Sequence, residues 1–123
     1  MTATDHALEL IVTAARAAGE KKGEQIVAFD VSEQLAITDA FLIISASNER
    51  QVGAIVDAVE DALREVGAKP IRREGQRDGR WVLLDYGDIV VHVQHEEERA
   101  FYALERLWRD CPAITLPEDV TRP

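Results

Sequence analysis

Only one of the 123 residues is a cysteine, Cys111, so no intramolecular disulfide can form and the fold must rest on a packed core in a reducing compartment. Its place before Pro112 is that of a small apolar residue near a helix end, not a catalytic thiol. Long hydrophobic runs are also missing: nothing approaches the roughly 20 apolar residues that span a bilayer. The opening MTATDHALEL lacks a basic stretch followed by an apolar one, so neither leader nor anchor is expected and a cytoplasmic location is. Basic residues are scarce. Fourteen Lys and Arg stand against 23 Asp and Glu, a net charge of −9, which repels phosphate backbones and anionic membranes. Direct nucleic-acid and membrane binding are therefore not expected. The phosphate-cradling patterns GxxxxGKS/T and GxGxxG are absent as well.

What is present suits one ordinary domain: 46% hydrophobic and 30% charged residues over a length that buries roughly two thirds of the unfolded surface. Thr4 and Asp5 precede Leu8, Ile11, Val12, Ala15 and Ala18 at helical spacing, predicting a first helix over residues 4–18. IVAFDV predicts a strand at 26–31, and the continuous apolar FLIIS at 41–45 a strand buried on both faces. Ser47 is expected to cap a helix over 48–66, with Val52, Ile55, Val56, Val59, Leu63 and Val66 as its apolar positions and Gly67 at its end. A short strand at 70–74 and a loop at 75–79 lead into Trp81–Leu84 and Ile89–Val93, two strands joined around Gly87 in a hairpin. Residues 96–108 then read as one helix with an apolar stripe of Phe101, Leu104, Leu107 and Trp108. The expected fold class is α/β: one domain over 1–111 with a mixed sheet flanked by helices, followed by an extended or mobile tail, 112–123.

Several clusters invite chemistry. Ser45, Ser47, Asp85 and Asp88 permit a magnesium-dependent nucleotidyltransferase reading, but acids chelating one metal from a strand should stand two apart, whereas Asp85 and Asp88 flank a turn and suit local backbone bonding. His92, His95 and Glu96 make a weak metal signal without a third firm ligand. No cofactor or catalytic residue is assigned. In strand alternation Trp81, Leu83 and Asp85 share one face. Either they form a binding hot spot rimmed by charge, or Trp81 and Leu83 face a core and only Asp85 meets water. Glu74, Asp85, Asp88 and the glutamates of 96–105 read as an acidic edge for a basic partner, or as a solvated face. Asp39 reads as a turn or capping residue.

The run REGQRDGRWVLLDYGDIVVHVQHEEERAFYALERLW, residues 73–108, resembles the signature of the ribosomal silencing factor RsfS (Iojap) family. The likeness rests on Glu74-Gly75, Trp81, Asp85, Gly87-Asp88, Val91-His92-Val93, Glu98-Arg99, Phe101-Tyr102 and Leu107-Trp108. TDAFLIISASNERQVGAIVDAV resembles the family's strand, Ser-rich turn and helix start. Ala46, Asn48 and Gln94 depart from the family's habits. The resemblance implies a nucleotidyltransferase-like fold without the catalytic acids and a non-enzymatic translational repressor. It further implies binding to the large ribosomal subunit through the ribosomal protein numbered fourteen, a steric block on subunit joining under nutrient limitation, and homodimers in the free state. On that reading Trp81, Leu83, Glu74, Asp85, Asp88 and Glu98 touch the partner, and His92, Arg99 and Tyr102 either touch it or fix the helix to the hairpin.

Overall fold

A computed structural model describes residues 2–121, and its centre is a mixed sheet of five strands. Thr4 opens α1 (Asp5–Glu20) by accepting the Ala7 amide at 3.1 Å, which satisfies one of the donors a helix start leaves without a partner. β1 (Glu24–Asp30), β2 (Ala40–Ala46), α2 (Glu49–Glu65), β3 (Arg72–Glu74), β4 (Trp81–Asp85) and β5 (Ile89–His95) follow, then α3 (Glu96–Tyr102), α4 (Leu104–Leu107) and α5 (Glu118–Thr121). The strand order is β1-β2-β5-β4-β3, with β2 and β5 parallel and every other neighbour antiparallel. Parallel strands cannot be joined by a tight turn, so α2, β3 and β4 make the connection between them. All seven residues of β2 are buried, as FLIIS implies.

The two sheet faces differ in chemistry. Leu42, Ile44, Val82, Leu84, Ile89, Val91 and Val93 lie under α1 and α2 in the main core. The other face carries a smaller cluster of Val31, Phe41 and Val90 with Phe29, Leu83 and Trp108 against it, and is covered by short elements.

Four local features depart from the sequence-based expectation. First, the α2 cap is Asn48, not Ser47: Asn48 Oδ1 accepts the Gln51 amide at 2.8 Å. Gln51 Oε1 reaches back to the amide and hydroxyl of Ser47, 2.7 Å each, and its Nε2 donates to the Lys21 and Lys22 carbonyls. One glutamine thus ties the start of α2 to the end of α1, and the cap falls a residue later. At the other end Gly67 (φ +86) and Ala68 donate to the Arg64 and Leu63 carbonyls, a glycine-terminated helix end in which Val66, already past the last helical turn, is exposed rather than on the apolar face. Second, the 96–108 helix is broken. Ala103 sits in the left-handed region (φ 45, ψ 54) and separates α3 from α4.

Third, the apolar stripe read into that helix does not form. Leu104 is buried, but Phe101 and Leu107 are 81% and 72% exposed, because Arg99 rather than an apolar residue is turned inward and sets the rotation of α3. Fourth, the stretch after Pro112 is docked rather than mobile, and it ends in the short helix α5 rather than staying extended. The Asp30 amide donates to the Pro112 carbonyl and the Ile114 amide to the Ala28 carbonyl, while Leu116 and Val120 are buried in the main core. It holds to the free edge of β1 and to α1 through apolar burial and two backbone bonds. The last two residues of that tail, 122 and 123, lie outside the described residues.

Two glycine substitutions should move stability in opposite directions. Gly53, within α2, has nothing within 4 Å of an added Cβ, so Gly53→Ala should stabilise by about 0.5–1 kcal/mol through helix propensity. At Gly75 (φ +84) the Cβ would stand 1.9 Å from the Trp81 carbonyl oxygen, so Gly75→Ala should cost more than about 2 kcal/mol. Urea unfolding of both variants reads the signs directly; shifts in the same direction would contradict this account.

Candidate functional site

β4 alternates as its sequence implies. Val82 and Leu84 are buried, while Trp81, Leu83 and Asp85 are half-buried on the opposite face. Across the β4–β5 hairpin these three pair with Gln94, His92 and Val90. The hairpin closes through Gly87 (φ +85), the positive φ that its first turn position requires, and the Gly87 amide donates to Asp85 Oδ1 at 2.8 Å.

Trp81 Nε1 donates to His92 Nδ1 at 3.2 Å. The imidazole is therefore the neutral tautomer with its proton on Nε2, and that nitrogen has no partner among the described residues. Burial pulls the His92 pKa down from 6.5 to about 4. From there a chain of rings crosses this face. Trp108 meets Phe41 at 5.1 Å, Phe41 meets His92 at 5.2 Å, and His92 meets Trp81 at 6.0 Å. Trp81 meets Tyr102 at 4.8 Å and Tyr102 meets Phe101 at 5.0 Å. The chain runs from a buried centre to the exposed Tyr102 and Phe101; these separations are those of favourable offset and edge-on ring pairs.

Two arginines hold α3 in place. Arg99, 4% exposed, donates from Nη1 to Ser45 Oγ (2.9 Å) on β2 and from Nε to Glu105 (3.0 Å) on α4. Arg80 spreads over three carboxylates, Glu49 of α2 and Glu97 and Glu98 of α3, at 3.2, 2.7 and 2.9 Å. Its hydrogen bond keeps Glu97 below the usual carboxylate range.

Three further acids of the expected edge are likewise engaged: Glu74 and Asp85 both approach Arg72, at 3.8 and 3.7 Å, and Asp88 approaches His6 at 3.9 Å. The structure thus gathers Trp81, Leu83, Tyr102, Glu98 and Asp85 on or beside one sheet face and places Glu74 and Asp88 at its margin. His92 and Arg99 are inside, 6% and 4% exposed, and offer a macromolecular partner little surface. Asp39 accepts the Thr4 amide at 3.0 Å, beside the α1 cap.

His95 caps α3 by accepting the Glu97 amide at 3.0 Å, so it does not join His92. Among the described residues no three His, Cys, Asp or Glu side chains converge as metal ligands, and no helix is long and apolar enough to cross a membrane.

The family model described as "Ribosomal silencing factor during starvation" matches residues 4–123. The chain belongs to the RsfS family. Relatives named ribosomal silencing factor RsfS include one from Halalkalibacterium halodurans, 44% identical over 88% of this chain and 92% of its own. Another, from Bacillus subtilis, is 40% identical over 87% and 91%. The chloroplastic Iojap protein of Zea mays is 34% identical over 94% of this chain and 50% of its own length. A crystal structure from Chromobacterium violaceum superposes with a TM-score of 0.80 at 32% identity, covering 89% and 92% of the two chains. One from Bacillus halodurans gives 0.76 at 41%, covering 92% and 100%. The single-domain mixed sheet with flanking helices is thus the RsfS architecture.

Sequence reasoning missed Phe101 as surface and Arg80 as the clamp on α3. Phe101 follows the helical apolar spacing, and Arg80 stands in a polar loop with no periodicity to read. No sequence signal would have separated them from the bland alternatives.

His92 makes stability depend on pH. Its pKa is depressed on folding, so between pH 6.5 and about 4 the unfolded chain binds a proton that the native chain does not. Stability should therefore fall on acidification through that window, by up to about 3 kcal/mol, and level off below it. Thermal or urea unfolding against pH should show this slope, and its loss in His92→Phe; identical slopes would sink the assignment.

Proposed function

We propose that the chain represses translation by binding, without chemistry of its own, to the large ribosomal subunit through the ribosomal protein numbered fourteen. Occupying the surface where the small subunit docks, it blocks subunit joining sterically when nutrients are limiting. The observation that carries the reading is the exposed end of the ring chain at Trp81, Tyr102 and Phe101, bordered by Glu98, Asp85, Glu74 and Asp88 in a chain of net charge −9. Aromatic anchors rimmed by charge are the usual anatomy of a hot spot, and a strongly acidic chain is steered toward basic protein while it is repelled by bare RNA. The names of its RsfS relatives support the ribosome as the target.

In this reading Trp81 and Leu83 anchor, with Tyr102 beside them. The acids meet lysine or arginine of the partner, exchanging for it the weak, exposed contacts to Arg72 and His6. His92 and Arg99 act from inside, the first by fixing the Trp81 ring and the second by fixing α3. The site of action is the cytoplasm. The same apolar face would be hidden in a homodimer of the free protein, which would compete with ribosome binding.

Co-sedimentation with isolated large subunits, small subunits and whole ribosomes tests the proposal. Selective pelleting with large subunits is expected, with fewer joined ribosomes. Trp81→Ala should weaken binding by about 2 kcal/mol or more, roughly thirtyfold. Because Trp81 also supports His92, Phe101→Ala is the companion: it should lower affinity with an unchanged melting temperature. Wild-type affinity in both variants would remove this face from the interface, and no binding to any ribosomal particle would end the proposal.

A further inference from the structure

On the same sheet face as Trp81, but over the start of β1 and the end of β2, a cavity of about 370 Å³ opens beneath the α3–α4 break. Its wall includes Gln25, Ser45, Glu96, Arg99, Ala103 and Arg106. Two of the described residues that hold a left-handed backbone without being glycine, Gln25 (φ 48) and Ala103 (φ 45), both line it. Such conformations cost energy and persist only where the surroundings impose them.

The donors of the cavity are not used up. Arg99 is almost wholly buried, yet only its Nε and Nη1 are engaged, by Glu105 and Ser45. Nη2 has no acceptor among the described residues, although a guanidinium presents a fork of five N–H groups suited to a carboxylate. Arg106 also lines the cavity and forms no ion pair among the described residues. Opposing charge is present too: Glu24 and Glu96 line the same cavity, likewise without a cationic partner among the described residues, whereas Glu105 is held by Arg99.

This mixture selects against solutes of one sign. A simple anion attracted to Arg99 and Arg106 meets Glu24 and Glu96, and a simple cation meets the reverse. A small solute carrying both charges satisfies both walls.

We propose that this cavity binds a small zwitterion of the free α-amino-acid class. The carboxylate would sit on Arg99 and Arg106, the ammonium on Glu96 and Glu24, and a short side chain against Ala46, Ala100 and Ala103. This site is separate from the ring chain and stands whether or not the ribosomal reading does. A solute there touches β1, α3 and α4 together, so it would brace the break at Ala103.

Thermal melting of the full chain with glycine, alanine, serine, glutamine, glutamate and lysine in turn tests the proposal, alongside N-acetylalanine and alaninamide, which each lack one charge. A ligand that binds only the native state raises the melting midpoint. At least one free amino acid at about 10 mM should raise it by about 2 °C or more, and the two blocked forms should not. Arg106→Gln and Glu96→Gln, both surface changes, should each weaken titrated affinity about tenfold, as expected when one charged contact is lost. The proposal is overturned if no amino acid moves the midpoint, if the blocked forms act as strongly as free alanine, or if both variants keep wild-type affinity.

Discussion

A parallel pair of strands at the centre of a sheet must be covered on both faces, and the described chain has only two long helices to do it with. Both lie on one side, where α1 and α2 bury the apolar residues of β2, β4 and β5. The second face is left to α3, α4 and a few rings. It is therefore the side where polar groups enter the interior, where helices are short, and where apolar side chains remain in contact with water. Gln94 shows the strain of this arrangement: it is fully buried on β5 with neither amide atom hydrogen-bonded among the described residues, in a position where buried polar groups are nearly always satisfied.

Arginines compensate for the missing helical cover. Arg99 joins β2, α3 and α4 through Ser45 and Glu105, and Arg80 joins β4 to the starts of α2 and α3. A buried cation is costly unless it is well bonded, which makes the position of α3 depend on geometry more than on hydrophobic fit. The net charge of −9 is consequently not spread as a uniform field. Much of the carboxylate near the hairpin already faces an internal arginine, and what a partner meets is a margin of acids around aromatic rings rather than an acidic sheet.

The layout of the sheet was legible wherever apolar periodicity and turn residues agreed. FLIIS announced a strand buried on both sides, Gly67 a helix end and Gly87 a hairpin. The alternation of Trp81, Leu83 and Asp85 was equally readable, although which face met water was not, because period two is blind to the choice. The reading failed at Ala103, where the chain takes a left-handed turn with neither glycine nor proline to mark it, and it left Arg99 open between a partner contact, a solvated charge and a support for the helix, the last of which the fold shows. It was incomplete after Pro112, where no period signals that Leu116 and Val120 lie against α1. At Arg99 and after Pro112 the deciding contact is long in sequence: Arg99 to Ser45, and the residues around Ala113 to β1. Of the candidate site, the residues were nameable from the family likeness, but the division into surface anchors and interior supports required the fold.

The two margins of the sheet are closed by different means. Beside the Ala28–Asp30 end of β1 the chain lays its own residues 112–114, with Ala113 bridging to Phe29, so that part of the border is occupied by another stretch of the same molecule. At the far margin β3 is three residues long and exposed, and each of them, Arg72, Arg73 and Glu74, is charged. Short, charged borders do not template another strand. Sideways growth of the sheet into a ribbon is thereby disfavoured at both borders, which leaves the broad faces as the surfaces better suited to association.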